Sequence, residues 1–131
     1  MDKIKVLIID DEADYLSVMK ERLESWDYEV LPAQGGKEGV AVIKERSPDI
    51  VILDYFMPDM DGTAVLKEIR KFNKNLPVIM LTAHPEVKNI KDARELGVSA
   101  FIPKLSAYSD VQASLRSALD MAGKKIKESK G

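Results

Sequence analysis

The chain has 131 residues, 45% hydrophobic and 32% charged, which is enough for one domain with a real core and little else. Its net charge of −2 and pI near 5.5 give no footprint for binding nucleic acid or another polyanion, and with no cysteine disulfides, thiolate catalysis and cysteine-based zinc sites are excluded. No run approaches the roughly 20 apolar residues of a membrane span, and no signal peptide is visible, so a soluble cytoplasmic protein is expected.

Lys3 to Ile9 reads as a strand, polar at first and then continuously apolar, ending abruptly in Asp10-Asp11-Glu12. A helix follows, with Leu16, Met19, Leu23 and Trp26 spaced for one face. Tyr28 to Leu31 reads as a short second strand closed by Pro32, and Gln34-Gly35-Gly36 as a turn. A second helix running to Arg46 buries Val40 and Ile43, and Ser47-Pro48-Asp49 breaks it. Ile50 to Leu53, apolar and β-branched, reads as a buried strand ending in Asp54, and Pro58 and Gly62 close the loop after it. A third helix carries Val65, Leu66 and Ile69. Pro77 to Thr82 is a fourth strand, apolar until its last residue. A fourth helix uses Ile90, Ala93 and Leu96 and stops at Gly97, a natural C′ residue. Ser99 to Ile102 is a fifth strand ending in Pro103-Lys104. Ser109-Asp110 are expected to cap a last helix presenting Val111, Leu115, Ala118 and Ala122. Residues 1–123 read as the domain, and the Lys-rich residues 124–131 as a frayed tail or the start of a linker.

Five strand–helix units with short connections imply right-handed crossovers and a doubly wound parallel sheet between helices, an α/β/α three-layer fold. All strand C-termini then share one edge, so Asp10, Asp11, Asp54, Thr82 and Lys104 should converge there. Three clustered carboxylates repel one another, and a divalent cation relieves the repulsion. Oxygen ligands without His or Cys select a hard ion, Mg²⁺ or Mn²⁺. A lysine ammonium and a threonine hydroxyl suit phosphoryl oxygens. A carboxylate among such groups is a nucleophile prepared for phosphoryl transfer. Taken singly, these residues would read as a cap, a local hydrogen-bonder and a solvated charge; their joint placement carries the functional reading. Glu12 reads as a first-turn acid, and Asp59 and Asp61 as loop and cap residues.

The chain resembles the receiver domains of two-component response regulators. The resemblance rests on Val6 to Glu12, Leu53 to Gly62, Pro77 to Ala83 and Gly97 to Lys104, in that order and spacing. It implies the flavodoxin-like strand order 2-1-3-4-5. It also implies that Asp54 accepts a phosphoryl group from a phosphohistidine on a sensor histidine kinase or phosphotransfer protein. Asp11, Asp54 and the main-chain carbonyl of Phe56 would then ligate Mg²⁺, with Asp10 assisting through water. Lys104 would pair with the phosphoryl oxygens, and Thr82 would donate to them. Phe101 would turn inward as Thr82 moves, reshaping the face made by the fourth helix, fifth strand and fifth helix. Such a domain is not a conventional enzyme: it catalyses its own phosphoryl transfer and slow dephosphorylation.

Three positions depart from the family pattern. Leu105 follows the lysine where the family has proline, so the Lys104–Leu105 peptide is expected to be trans, since a non-proline cis bond costs about 2.5–4 kcal/mol. Phe56 cannot position an attacking water, which implies slow to moderate loss of the phosphoryl group. His84, the sole histidine, lies near the same water path. The chain could act alone or as the receiver part of a longer regulator or hybrid kinase with a linked output domain, and a phosphorylation-dependent dimer stays open. An Asp-nucleophile phosphatase would need a second acid where Phe56 stands. A flavodoxin-type carrier would need a phosphate loop where Asp10-Asp11-Glu12 stands.

Overall fold

The structure, a computed structural model, describes residues 3–83, 87–104 and 108–130; at 87–89, 108–110 and 129–130 it describes the backbone alone. The elements alternate as β1 (Lys5–Ile9), α1 (Ala13–Ser25), β2 (Glu29–Ala33), α2 (Gly36–Arg46), β3 (Ile50–Asp54), α3 (Gly62–Phe72), β4 (Val78–Thr82), α4 (Val87–Glu95), β5 (Ala100–Pro103) and α5 (Tyr108–Lys130). The five strands form one parallel sheet in the order β2-β1-β3-β4-β5. Among the described residues no helix is long and apolar enough to cross a membrane.

Side chains alternate across a strand, and the two sets pack differently. Val6, Ile8, Ile50, Ile52, Ile79 and Leu81 face Leu16, Met19 and Leu23 of α1 and Leu115 and Leu119 of α5. Leu7, Ile9, Val51, Leu53, Val78 and Met80 face Ile43 of α2, Val65, Leu66 and Ile69 of α3 and Ala93 of α4. Both faces of β1, β3 and β4 are therefore covered, which explains their unbroken apolar runs.

Three local expectations are corrected. Pro32 does not close β2 but lies within it, opposite Ile8. A proline is tolerated there because β2 is an edge strand, where the missing N–H costs no ladder bond. Ser109 and Asp110 do not precede the last helix, which already begins at Tyr108. Nor are residues 124–130 frayed: α5 continues to Lys130. Ile126 packs against the first core cluster, and a side chain on Gly123 would sit 3.3 Å from Ile4 Cδ1. Packing thus carries the helix past the sheet, and its lysines are good helix formers.

At the edge formed by the strand N-termini, Arg70 ties three segments together. Its guanidinium donates to the carbonyls of Leu96 (2.7 Å), Leu76 (2.9 Å), Asn73 (3.1 Å) and Gly97 (3.1 Å). It thereby satisfies carbonyls at and beyond the ends of α3 and α4 that no helical N–H can reach. Gly97, at φ 74°, takes the left-handed conformation that ends α4.

Candidate functional site

The site grows from the two central strands. β1 and β3 are neighbours, yet α1 leaves β1 on one face and α3 leaves β3 on the other. A crevice therefore opens at their C-terminal ends. Asp10, 1% exposed, stands on one side and Asp54, 7% exposed, on the other. Such burial of two acids requires compensation, and Lys104, just past β5, supplies part of it. Its Nζ lies 2.9 Å from Asp10 Oδ2 and 3.4 Å from Asp54 Oδ1. Its main-chain N–H donates to the Thr82 carbonyl at 2.6 Å. The ammonium also lies over the Tyr15 ring, 4.1 Å from its centroid.

The second oxygen of Asp10 works locally. Oδ1 accepts from the Glu12 N–H at 2.9 Å, forming the turn that opens α1 with Glu12 at its N-cap. Asp10, Asp11 and Glu12 each present a carboxylate oxygen within 4.8 Å of the others. Burial pushes the Asp54 carboxyl up, Lys104 pulls it down and the charge of Asp10 pushes it up again, leaving it at about 6 instead of 3.8. Burial alone would lower the Lys104 ammonium, but the hydrogen bond and charge of Asp10, aided by Asp54, hold it above its ordinary value.

The loop after Asp54 is fixed at both ends. Tyr55 N–H donates to the Leu81 carbonyl at 3.2 Å, and Gly62 N–H to the Tyr55 carbonyl at 2.6 Å. A Cβ on Gly62 would stand 2.9 Å from Tyr55 Cα and 3.1 Å from the Asp54 carbonyl, so backbone meets backbone here. Asp61 caps α3 by accepting from Ala64 N–H at 2.8 Å. Asp59 reaches across to α2 and accepts from Gly36 N–H (3.1 Å) and Lys37 N–H (3.0 Å). These bonds, that of Lys37 foremost, hold its carboxyl below the usual range. Gly35, the N-cap of α2, has no side chain to do this itself. Phe56 is 47% exposed and meets Tyr55 edge-on, with ring centroids 4.8 Å apart.

The structure thus brings Lys104 into direct contact with both Asp10 and Asp54 and sets Asp11 beside Asp10. Thr82 is fully buried at the end of β4 and joins the group through the Lys104 main chain. Phe101 is half-buried, opposite Met80 in the β4–β5 ladder and packed on the second core cluster. His84 and Leu105 lie outside the described residues, as does the Lys104–Leu105 peptide. Sequence reasoning missed Tyr15, the inclusion of Glu12 in the acidic cluster and the cross-loop role of Asp59. Tyr15 had a usable signal: it sits in the first turn of α1, four residues after Asp11.

Comparison with known proteins agrees with this arrangement. The sequence model of the response regulator receiver domain matches residues 6–116. The chain belongs to the response regulator receiver family. Among curated relatives, a probable transcriptional regulator ycf27 from Porphyridium aerugineum is 38% identical over 119 residues, covering 91% of this chain and 49% of that protein. The chain therefore spans about half the length of that relative. Among solved structures, a CheY-like receiver domain protein from Methanospirillum hungatei JF-1 has a TM-score of 0.84 at 29% identity, covering 95% of this chain and 99% of that one. The CheX-CheY-BeF3-Mg+2 complex from Borrelia burgdorferi has a TM-score of 0.80 at 32% identity, covering 88% and 89%. Receiver domains generally bind Mg²⁺, and the donors at this edge suit it: carboxylate oxygens that, among the described residues, cluster with no His or Cys.

Proposed function

We propose that Asp54 is the phosphoacceptor of this receiver domain, taking a phosphoryl group from a phosphohistidine on a sensor kinase or phosphotransfer protein in a Mg²⁺-dependent reaction. The observation that carries this reading is the placement of Asp54: nearly buried, at the central crevice, 3.4 Å from a lysine that also holds Asp10. Asp10, Asp11, Asp54 and the main-chain carbonyl of Phe56 would hold the ion. When bound, it neutralises charge on the transferring phosphoryl group. An Asp54 carboxylate oxygen attacks phosphorus as the bond to the donor nitrogen breaks. Lys104 then faces the new phosphoryl oxygens, and the Thr82 hydroxyl donates to them. Phosphorylation adds about −1.5 to −2 of charge and three acceptor oxygens. Movement of Thr82 toward them leaves room for Phe101 to turn inward.

The result is a changed face along α4, β5 and α5, offered to a downstream protein, a linked output domain or a second copy of the chain. A cytoplasmic setting belongs to this reading, as does slow self-dephosphorylation, because Phe56 offers no polar group to an attacking water. The test is incubation with Mg²⁺ and acetyl phosphate, followed by intact-mass measurement. A gain of one phosphoryl group that is absent without Mg²⁺ and absent in Asp54→Ala is expected. No uptake by the wild type, or equal uptake by Asp54→Ala, would overturn the proposal.

A further inference from the structure

We propose that Tyr15 is a positioning residue for phosphoryl transfer, its ring face holding the Lys104 ammonium in place over Asp10 and Asp54. The inference rests on the reading of Asp54 as phosphoacceptor.

Among the described residues, three contacts define where the ammonium sits. Asp10 Oδ2 is at 2.9 Å, Asp54 Oδ1 at 3.4 Å and the Tyr15 ring centroid at 4.1 Å, well inside the roughly 6 Å over which a ring quadrupole attracts a cation. The Lys104 side chain is only 16% exposed, so water screens this attraction weakly. A lysine has a flexible four-carbon stem and no directional fork, so something besides its own geometry must fix its head. The ring supplies a third contact of a different kind.

Asp10 couples the parts. One of its oxygens opens α1 through the Glu12 N–H, which sets the helix that carries Tyr15; the other binds Lys104. Tyr15 is also packed against the α1–α5 core cluster, so its ring is held from behind. An aliphatic side chain could pack there equally well, but it could not attract a cation. The ammonium therefore waits beside Asp54 and need not be recruited from solvent when phosphoryl oxygens arrive.

The experiment compares the wild type with Tyr15→Leu, Tyr15→Met and Tyr15→Phe at saturating Mg²⁺, measuring phosphoryl uptake against acetyl phosphate concentration. Leu and Met should lower the maximal rate about 3- to 10-fold with the half-saturating concentration unchanged. Phe, which keeps the ring face, should rescue the rate. NMR of the metal-free proteins gives a readout independent of activity. The Lys104 ε-methylene protons should be shifted upfield by the ring in the wild type and Tyr15→Phe, and return to ordinary values with Leu or Met. Undiminished rates in both Leu and Met variants would overturn the proposal; the Met variant alone decides if the Leu variant does not fold. A Phe variant as slow as Leu would overturn it too, since the hydroxyl would then be what matters, and so would a ring-independent methylene shift. An inert wild type would sink the Asp54 reading and the transfer role with it, while the NMR shifts would still report whether the ring holds the ammonium.

Discussion

Replacing the central acid by its neutral isostere should stabilise the metal-free protein. Asp54 is 7% exposed, and its carboxyl is raised from 3.8 to about 6, chiefly by burial, against the pull of Lys104. The folded state thus holds the Asp54 proton more tightly than the unfolded state does. The stability linked to that proton is complete below pH 3.8 and is lost as pH rises through about 6. At about 1.4 kcal/mol per unit, the cost at pH 7 approaches about 3 kcal/mol. Asp54→Asn avoids that cost, which is already net of the 3.4 Å ion pair with Lys104. The expected net gain at pH 7 in EDTA is about 1–3 kcal/mol, or roughly 4–10 °C in Tm for a domain of this size. Thermal melts followed by circular dichroism from pH 4 to pH 7.5 read it directly. The gap between variant and wild type should open with rising pH, and millimolar Mg²⁺ should close it by stabilising the wild type more than the variant. A variant no more stable than the wild type at pH 7, or a gap indifferent to pH, would refute the assignment of burial strain to Asp54.

Two further substitutions probe the scaffold. Arg70→Met removes four hydrogen bonds to carbonyls around the ends of α3 and α4. It should cost about 2–3 kcal/mol and speed amide exchange in α4 more than in α1; uniform exchange would contradict the clasp. Gly62→Ala forces a methyl to within 2.9 Å of Tyr55 Cα. It should cost about 1–3 kcal/mol and slow phosphoryl uptake by displacing the loop after Asp54; a stable, fully active variant would show that the loop yields.

Some of this arrangement was legible because strands announce themselves. The apolar runs before Asp10, Asp54 and Thr82 are buried on both faces, so periodicity located the strand ends and the parallel topology placed those ends on one edge. Gly97 marked the end of α4 because a left-handed residue was needed there. Two of the misreadings share a cause: each rule was local while the deciding contact was not. Pro32 looks like a stop until β2 is known to be an edge strand. Lys124 to Lys130 look frayed until Ile126 is seen against the first core cluster.

By itself, then, the sequence determined the alternation of elements, the class of fold and the set of oxygen donors and cations gathered at one edge, because these follow from spacing and side-chain type. Only the tertiary structure decided which groups touch. Lys104 and Asp10 are 94 residues apart in the chain and 2.9 Å apart in space. Tyr15 meets Lys104, Asp59 meets α2 and Gly62 meets the backbone of Tyr55. Such pairings depend on how strands and loops are brought side by side, and no periodicity along a single element encodes them.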